Sequence, residues 1–116
     1  MKYMLLIYGN EQAWGTMTQE DGQKMMAEYG SYTKEIIEAG QFVSGAPLQP
    51  TSTATSVQVR DGKRVTTDGP FAETREQLGG YYLVEAKDLD EAIGLAARIP
   101  GAKYGTIEVR PVMDME

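Results

Sequence analysis

Two segments of this chain are apolar at consecutive positions, and they restrict its possible folds more than any other feature. Tyr3–Tyr8 and Tyr81–Val84 carry large apolar or aromatic side chains at every position. Because neighbouring residues of a strand point to opposite faces of a sheet, each segment predicts a strand that is covered on both faces. Each is also far shorter than the roughly 20 residues that a membrane-spanning helix needs. The sequence therefore predicts a central sheet and no membrane partner.

Two segments predict amphipathic helices that cover this sheet. The first helix begins after Thr18, which is followed three residues later by Asp21 as in a capping box, and it ends at Gly40. The second begins after Asp88 and is stopped by Pro100. The stripes that we expect to be buried consist of Met25, Met26, Tyr29, Tyr32, Ile36 and Ile37 in the first helix and of Leu89, Ala92, Ile93, Ala96 and Ala97 in the second.

The region between the helices predicts a β-hairpin with Asp61-Gly62 at its turn. A two-residue loop pairs Val57 with Thr66, whereas a three-residue loop that includes Arg60 pairs Val57 with Val65. We favour the three-residue loop, because it places Val57, Val59 and Val65 on one face of the hairpin.

Three further segments complete the predicted order of elements. Phe42–Leu48 predicts a strand at a sheet edge, because a proline interrupts it. Pro70–Leu78 predicts a short helix, since proline suits the first helical position, and Thr106–Arg110 predicts the last strand. The order matches an α+β fold, the ferredoxin-like βαββαβ sheet with an inserted hairpin and short helix. We predict one compact domain over residues 1–112 and a C-terminal tail over residues 113–116.

The predicted sheet has one face that its own helices do not reach. Two helices cover one face of such a sheet, yet its central strands are apolar on both. Large exposed apolar patches are rare on monomers, and most soluble oligomers are two-fold homodimers. The sequence therefore predicts a homodimer whose sheets pack face to face.

Composition excludes several chemistries. The chain has no His and no Cys, so it offers no thiolate nucleophile, no histidine base and no conventional zinc site. It has no glycine-rich nucleotide-binding motif either, and we expect no metal and no cofactor. The net charge of −6, with no cluster of Lys and Arg to interrupt it, predicts that nucleic acid is not a partner. We expect a cytoplasmic protein.

The segment Asp68–Tyr82 reads DGPFAETREQLGGYY. Together with Met4–Tyr8, Gly45–Leu48 and Ile107–Val112, it resembles the DGPF, or YCII-related, family over nearly the whole chain. The resemblance implies a ferredoxin-like fold paired into a dimeric α+β barrel. It also implies either an enzyme-like protein with a His-Asp pair in a cleft or an accessory protein of an extracytoplasmic-function sigma factor. Many relatives carry His where this chain has Tyr104, so a His-Asp pair cannot form here.

Four residues are the candidates for a site. Asp68 is the candidate catalytic residue, as a general acid or base, and Arg75 is a candidate to hold negative charge. Tyr8 and Arg110 complete the ligand-binding set. Asp68 has a second interpretation as a turn residue whose side chain caps the helix that Pro70 begins. A helical wheel places Arg75 on the apolar side of that helix.

Two functions follow from these residues together with the family resemblance. The first is a ligand-binding or enzyme-like protein with a cleft near Asp68 that acts on a small polar molecule. The alternative is a non-catalytic regulatory or interaction module that associates with an extracytoplasmic-function sigma factor, and the missing histidine adds weight to it.

Overall fold

A computed structural model of the chain describes residues 1–115. Over these residues the chain forms six strands, three α-helices and two 3₁₀ turns. The strands are β1 (Lys2–Gly9), β2 (Phe42–Pro47), β3 (Thr55–Arg60), β4 (Lys63–Asp68), β5 (Gln77–Glu85) and β6 (Thr106–Pro111). The helices are α1 (Glu11–Gly15), α2 (Gln19–Glu38) and α3 (Leu89–Ala97), and the 3₁₀ turns are Thr51–Thr53 and Pro100–Lys103. None of the described helices is long and apolar enough to cross a membrane.

Four strands form one antiparallel sheet in the order β2-β5-β1-β6. With α2 between β1 and β2 and α3 between β5 and β6, this is the βαββαβ order of a ferredoxin-like α+β fold. The predicted fold class is therefore confirmed. The two segments that are apolar at every position are the central strands β1 and β5, which pair with each other.

The core lies between this sheet and the long helices. Alternate residues of the central strands point into it, among them Leu5 and Val84, which are completely buried. From the helix layer, Ile36 is also completely buried. The remaining core side chains are Tyr3, Ile7, Tyr32, Tyr82, Ala86, Ala92, Leu95, Ala96 and Ile99.

The tyrosines of the core have hydrogen-bond partners for their hydroxyl groups. The Tyr32 hydroxyl donates to the carbonyl of Leu95 at 2.8 Å. Thr33 Oγ1 lies 2.8 Å from the carbonyl of Tyr29, to which it donates, and 2.7 Å from the hydroxyl of Tyr82. Burying a hydroxyl without a partner is costly, and these bonds remove that cost while fixing how α2 lies on the sheet.

The buried stripes of the helices are narrower than the sequence predicts. Met26 and Ile37 are 75% and 53% exposed, and about half of Leu89 and Ile93 is exposed on α3. Leu95, which the prediction omits, is buried. A neighbouring residue lies about 100° further around a helix, so a stripe centred on the sheet leaves its flanking positions in solvent.

The ends of the helices follow the sequence closely. Thr18 Oγ1 accepts from the amide of Asp21 at 3.1 Å, and Asp88 Oδ1 accepts from the amide of Glu91 at 2.9 Å. Gly40 follows α2 with a φ of 73°, a left-handed conformation that glycine adopts freely. Both predicted N-caps are confirmed. Helix α1 lies where the sequence suggests only a loop.

The hairpin formed by β3 and β4 is a separate two-stranded sheet, and we call residues 55–68 the arm. Its turn consists of Asp61 and Gly62, with φ angles of 52° and 75°. Val57 lies opposite Thr66, so the predicted three-residue loop is wrong. Two consecutive left-handed residues make the tight turn whose twist suits a hairpin. Because both faces of the arm are exposed, no buried face selects the register that gathers the valines.

The arm makes the molecule less compact than predicted. The radius of gyration is 16.1 Å, whereas a compact domain of this length has about 13 Å. Strand β6 ends at Pro111, and residues 112–115 form no regular element. The last residue of the predicted tail, Glu116, lies outside the described residues.

The predicted short helix over Pro70–Leu78 is wrong. Residues 69–76 form an irregular loop, which we call the DGPF loop. Strand β5 already begins at Gln77, because Gln77 and Leu78 pair with Gly9 and Tyr8 of β1. Pairing with a central strand uses the backbone groups that the last turn of a helix would need.

Candidate functional site

The face of the four-stranded sheet that points away from the helix-packed core is only partly buried. We call it the open face. Leu6 lies at its centre, opposite Tyr81 on β5 and Glu108 on β6. The open face has an apolar middle and a charged edge on β6, and it includes Met4, Leu6, Tyr8, Ser44, Ala46, Tyr81, Leu83, Thr106, Glu108 and Arg110.

Two of the predicted ligand-binding residues lie on this open face. Tyr8 stands opposite Thr106, and Arg110 stands opposite Met4, at the other end of β1. Four residues of a strand separate the two positions by about 13 Å. Arg110 Nε lies 3.4 Å from Glu108 Oε1, and the two side chains are 69% and 43% exposed. An exposed pair of this kind contributes little to stability, so the guanidinium can exchange its partner for a ligand at low cost.

Asp68, the candidate catalytic residue, lies on the arm rather than on the sheet. It is the last residue of β4 and pairs with Thr55. Its side chain is exposed, and within residues 1–115 it makes no hydrogen bond or ion pair. No helix follows it, so the interpretation of Asp68 as a helix cap is wrong. The turn after it depends on Gly69, whose φ is 95°.

The base of the arm is fixed to the rest of the chain by a short series of hydrogen bonds. The amide of Gly69 donates to the carbonyl of Ala54 at 2.7 Å, and Ser56 Oγ donates to the carbonyl of Gly69 at 2.8 Å. Just before the arm, both the amide and the hydroxyl of Thr51 donate to the carboxylate of Glu11 at 2.8 Å. Hydrogen bonds to a carboxylate are stronger than neutral ones, so Glu11 holds the segment that leads into the arm.

Sequence reasoning missed Glu11. Its only sequence signal is that it follows Asn10, a favoured N-cap residue, as an acidic first-turn residue would. Asn10 Oδ1 accepts from the amide of Gln12 at 2.9 Å, which confirms its capping role in α1. The partner of the Glu11 carboxylate lies 40 residues further along the chain, a separation that no local pattern reveals.

Arg75 and Phe71 both lie in the DGPF loop and both are exposed. The side chain of Phe71 is 92% exposed, and Arg75 makes no ion pair within residues 1–115. The helical-wheel placement of Arg75 against an apolar side is therefore wrong. The end of this loop reaches the sheet, because Thr106 Oγ1 donates to Glu76 Oε1 at 2.9 Å. Thr106 is the residue that stands opposite Tyr8.

Trp14 packs against Gly79, near the start of β5, and leaves no room there for a side chain. A methyl group on Gly79 would lie 2.7 Å from Trp14 Cη2, and one on Gly9 would lie 2.7 Å from Trp14 Cζ2. The indole thus covers the backbone of both glycines, at the end of β1 and the start of β5. Gly79 and Gly80 thus leave room for Trp14 and for the backbone of β2 at Ala46.

The candidate residues lie outside two grooves that run along the helices. Two open grooves of about 430 and 540 Å³ run along α2 and α3, and Glu35 and Arg98 line both. Neither groove is lined by Tyr8, Asp68, Arg75 or Arg110. Among residues 1–115, no group of three or more acidic side chains is placed to hold a metal ion.

Two tyrosines of the helix layer have a raised pKa. Burial raises the pKa of Tyr29, and the hydrogen bond from the amide of Gly101 partly offsets this. Burial raises the pKa of Tyr32 further, although the nearby Arg98 guanidinium acts in the opposite direction. Both phenols are therefore neutral at physiological pH and act as packing and hydrogen-bonding groups.

Two groups of candidate residues emerge. Tyr8 and Arg110 lie on the open face, while Asp68 and Arg75 lie on the arm and the DGPF loop. All four are at least partly accessible, and no described groove of the single chain encloses them. Such an arrangement can bind a polar molecule between two surfaces, but among residues 1–115 no acid or base is bonded to the Asp68 carboxylate to share a proton with it.

Two comparisons with known proteins agree. The family model described as the YCII-related domain matches residues 1–116. "Uncharacterized protein R00369" of Rhizobium meliloti (strain 1021) is 35% identical over 114 residues, a match that covers 97% of this chain and 92% of that relative. The match extends over the whole chain and not over the DGPF loop alone. This chain is a member of the YCII-related family.

Proposed function

We propose that this protein is a homodimer that binds a small polar molecule between its two copies. The observation that carries the proposal is the open face. Its centre is apolar and partly exposed, and on a monomer such a patch favours covering by another surface. A second copy of the same sheet is the simplest cover, because two-fold homodimers are the commonest oligomers. The proposal includes the dimeric α+β barrel and a cytoplasmic location.

The ligand would meet both groups of candidate residues. Tyr8 offers a hydroxyl and Arg110 a guanidinium on the sheet, and Asp68 and Arg75 offer opposite charges on the arm and the loop. Such a set suits a molecule with both donor and acceptor groups. We propose binding rather than catalysis as the primary role. Asp68, as an acid or base without a histidine partner, is the residue to test for catalysis.

The test is ligand-dependent thermal stability. A panel of amino acids, small carboxylates and sugars is added at millimolar concentration to the wild type, to Asp68→Asn and to the control Asp114→Asn. At least one compound should raise the melting temperature of the wild type by about 4 °C or more, since 1 kcal/mol shifts a domain of this size by about 4–8 °C. Asp68→Asn should melt like the wild type but lose this shift, and Asp114→Asn should keep it. If Asp68→Asn only lowers the melting temperature, Asp68 is a turn residue and the proposed site is wrong.

A second candidate function is a non-catalytic interaction module of the DGPF branch of the family that associates with an extracytoplasmic-function sigma factor. Phe71 favours it, because a phenylalanine that is 92% exposed suits a protein-binding anchor. Co-purification with a sigma factor that is lost in Phe71→Ala would support this module. Co-purification that persists unchanged in Phe71→Ala would exclude Phe71 as the anchor.

A further inference from the structure

The two faces of the arm differ in what they expose. Residues that stand opposite each other in an antiparallel pair share a face, so the register places Val57 with Thr66 and Val59 with Arg64. We call this side the valine face; it consists of Thr55, Val57, Val59, Arg64, Thr66 and Asp68. All six are exposed, and Val57 and Val59 are 58% and 64% exposed. The reverse face carries one valine, Val65, which is 43% exposed.

The accessible surface area of the chain indicates how much area a second copy could bury. The accessible area is 8547 Å². A compact monomer of 12.8 kDa exposes about 6,300 Å², so this chain exposes about 2,200 Å² more. Obligate homodimers bury roughly 2,000–5,000 Å² over both partners. The excess per chain is therefore of the size that an obligate dimer covers, and it exceeds what one weak, transient contact needs.

The base of the arm is anchored to the rest of its own chain by hydrogen bonds. The amide of Gly69 is bonded to Ala54 at the base of the arm, and Thr51 is bonded to the Glu11 carboxylate just before it. A segment held in this way pays less entropy on binding than a free loop does. The anchored base thus lowers the entropy that docking of the valine face on a second copy would cost.

The charge of the arm also fits a second copy. The turn region carries three cations, Arg60, Lys63 and Arg64, and one anion, Asp61, whereas the whole chain has a net charge of −6. The prediction that Lys and Arg form no cluster is therefore wrong for this turn. Arg60 stands directly opposite Lys63, an unfavourable arrangement for like charges, and none of the ion pairs within residues 1–115 includes them. An acidic second copy offers the missing counter-charges.

We propose that the valine face of the arm packs against the second copy in the homodimer, so that Asp68 completes the ligand site on the second copy's open face. This inference rests on the proposed dimer. Asp68 belongs to the valine face, at the end nearest the base of the arm. Docking that face places the Asp68 carboxylate at the boundary between the copies, whereas among residues 1–115 of its own chain the same carboxylate has no hydrogen-bond or ion-pair partner.

The lack of cysteine makes a site-directed cross-link straightforward. Thr66→Cys places one thiol on the valine face, and Thr67→Cys, its neighbour on the reverse face, is the matched control. Each is labelled with a benzophenone maleimide, mixed with unlabelled ¹⁵N-substituted wild type to allow subunit exchange, irradiated and analysed by mass spectrometry. Isotope composition distinguishes cross-links within a chain from cross-links between copies.

Thr66→Cys should give at least about threefold more cross-links between copies than Thr67→Cys, because successive side chains of a strand point to opposite faces. The cross-linked peptides of the second copy should come from β1 or β6, which carry Tyr8 and Arg110. Equal yields from the two positions, or cross-links only within one chain of a dimeric protein, would overturn the docking of the arm. Cross-links confined to α2 or α3 would overturn the role of Asp68. A monomer in light scattering would instead overturn the proposed dimer itself.

A charge reversal gives an independent readout. Arg64→Glu changes a cation on the valine face, and Lys63→Glu makes the same change on the reverse face. At low salt, Arg64→Glu should raise the dimer Kd about threefold to tenfold, as loss of a rim ion pair does, and Lys63→Glu less than about twofold. The difference should shrink at 0.5 M salt. An equal effect of both variants, or none from either, would show that the valine face does not lie at the interface.

Discussion

The core side of the central strands and the arm both carry apolar side chains at every second residue. Those of the central strands are buried, whereas those of the arm are exposed. On β1, Leu5 is completely buried and Ile7 is 6% exposed, whereas on β3 the alternating Val57 and Val59 are more than half exposed. In both segments these side chains lie two residues apart and therefore point to the same face of their strand. The difference is that β1 has helices packed on it, while the arm leaves the sheet and pairs only with itself.

This difference separates stability from recognition in the molecule. Burying an apolar side chain stabilises a fold by roughly 1.5–3 kcal/mol, and exposed valines contribute almost none of that to their own chain. The core therefore accounts for the folded state, whereas the arm and the open face remain for binding. The predictions below probe this division, beginning with the largest expected effect.

The largest effect is expected in the core. Ile36→Ala removes a completely buried side chain and should lower the free energy of unfolding by about 2–5 kcal/mol in urea. Val59→Ala on the arm should change that free energy by less than about 0.5 kcal/mol, measured after dilution to the monomer. The adjacent Ile37, 53% exposed on the same helix, provides the matched control, and Ile37→Ala should cost less than about 1 kcal/mol. Similar losses for Ile36→Ala and Val59→Ala would remove the distinction between core and arm.

Three glycine-to-alanine substitutions compare the backbone of the four-stranded sheet with that of the arm and of α3. A methyl group on Gly105 would collide with the carbonyl of Tyr8 in the neighbouring strand, so Gly105→Ala should cost about 3 kcal/mol. In the turn of the arm, Gly62 has open space but a φ of 75°, and Gly62→Ala should cost about 1 kcal/mol. Gly94, which has open space within α3, should gain about 0.5–1 kcal/mol on substitution by Ala. Thermal unfolding measures all three, and a larger loss for Gly62→Ala than for Gly105→Ala would contradict the account.

The buried tyrosines should also make the free energy of unfolding depend on pH. Burial raises the pKa values of Tyr29 and Tyr32 above the ordinary 10.0. Below pH 10 both phenols are neutral in the folded and unfolded chain, so stability is fully present there. As the pH rises from 10 toward the raised pKa values, only the unfolded chain loses its protons, and each such tyrosine lowers the free energy of unfolding by about 1.4 kcal/mol per pH unit.

Urea unfolding between pH 9 and 11 measures this loss. Tyr32→Phe should make the decline shallower, while Tyr104→Phe, at a position that is 70% exposed, should leave it unchanged. Absorbance at 295 nm should show phenols that ionise only above pH 10. A decline that is identical in the wild type and Tyr32→Phe would mean that this phenol is not protected by burial.

The smallest effect on stability is expected at the base of the arm, where the arm joins the rest of the chain. Glu11→Gln removes the charge from the hydrogen bonds to Thr51 and should cost about 1 kcal/mol. Amide hydrogen exchange at Thr51 and Gly69 should accelerate, because Glu11 holds the segment that leads into the arm. Glu38→Gln, at a carboxylate without a hydrogen bond or ion pair within residues 1–115, is the control. Unchanged exchange in Glu11→Gln would mean that the arm is held by its backbone alone.

Sequence reasoning predicts the sheet and the long helices well, because their signals are local or periodic. Consecutive apolar residues identify β1 and β5, and the cap residues Thr18 and Asp88 mark where the helices begin. It fails for the short helix over Pro70–Leu78, where pairing with β1 decides the structure. It fails also for the hairpin register, since the hydrophobic pattern selects a register only when one face is buried.

The candidate site is harder to read from the sequence. The sequence singles out Asp68, Arg75, Tyr8 and Arg110, but it does not show that they fall into two groups, one on the sheet and one on the arm and loop. The roles of Glu11 and Trp14 depend on contacts with residues far along the chain, at Thr51 and Gly79. Contacts of that kind arise only from the assembled fold.

The homodimer is the central claim, and sedimentation equilibrium tests it most directly. The chain has a mass of 12.8 kDa, and at micromolar concentration the wild type should have twice that mass. Leu6→Arg, at the centre of the open face, should reduce the mass to that of one chain while the far-UV circular dichroism stays the same. A wild-type protein that has the mass of one chain throughout the micromolar range would contradict the account.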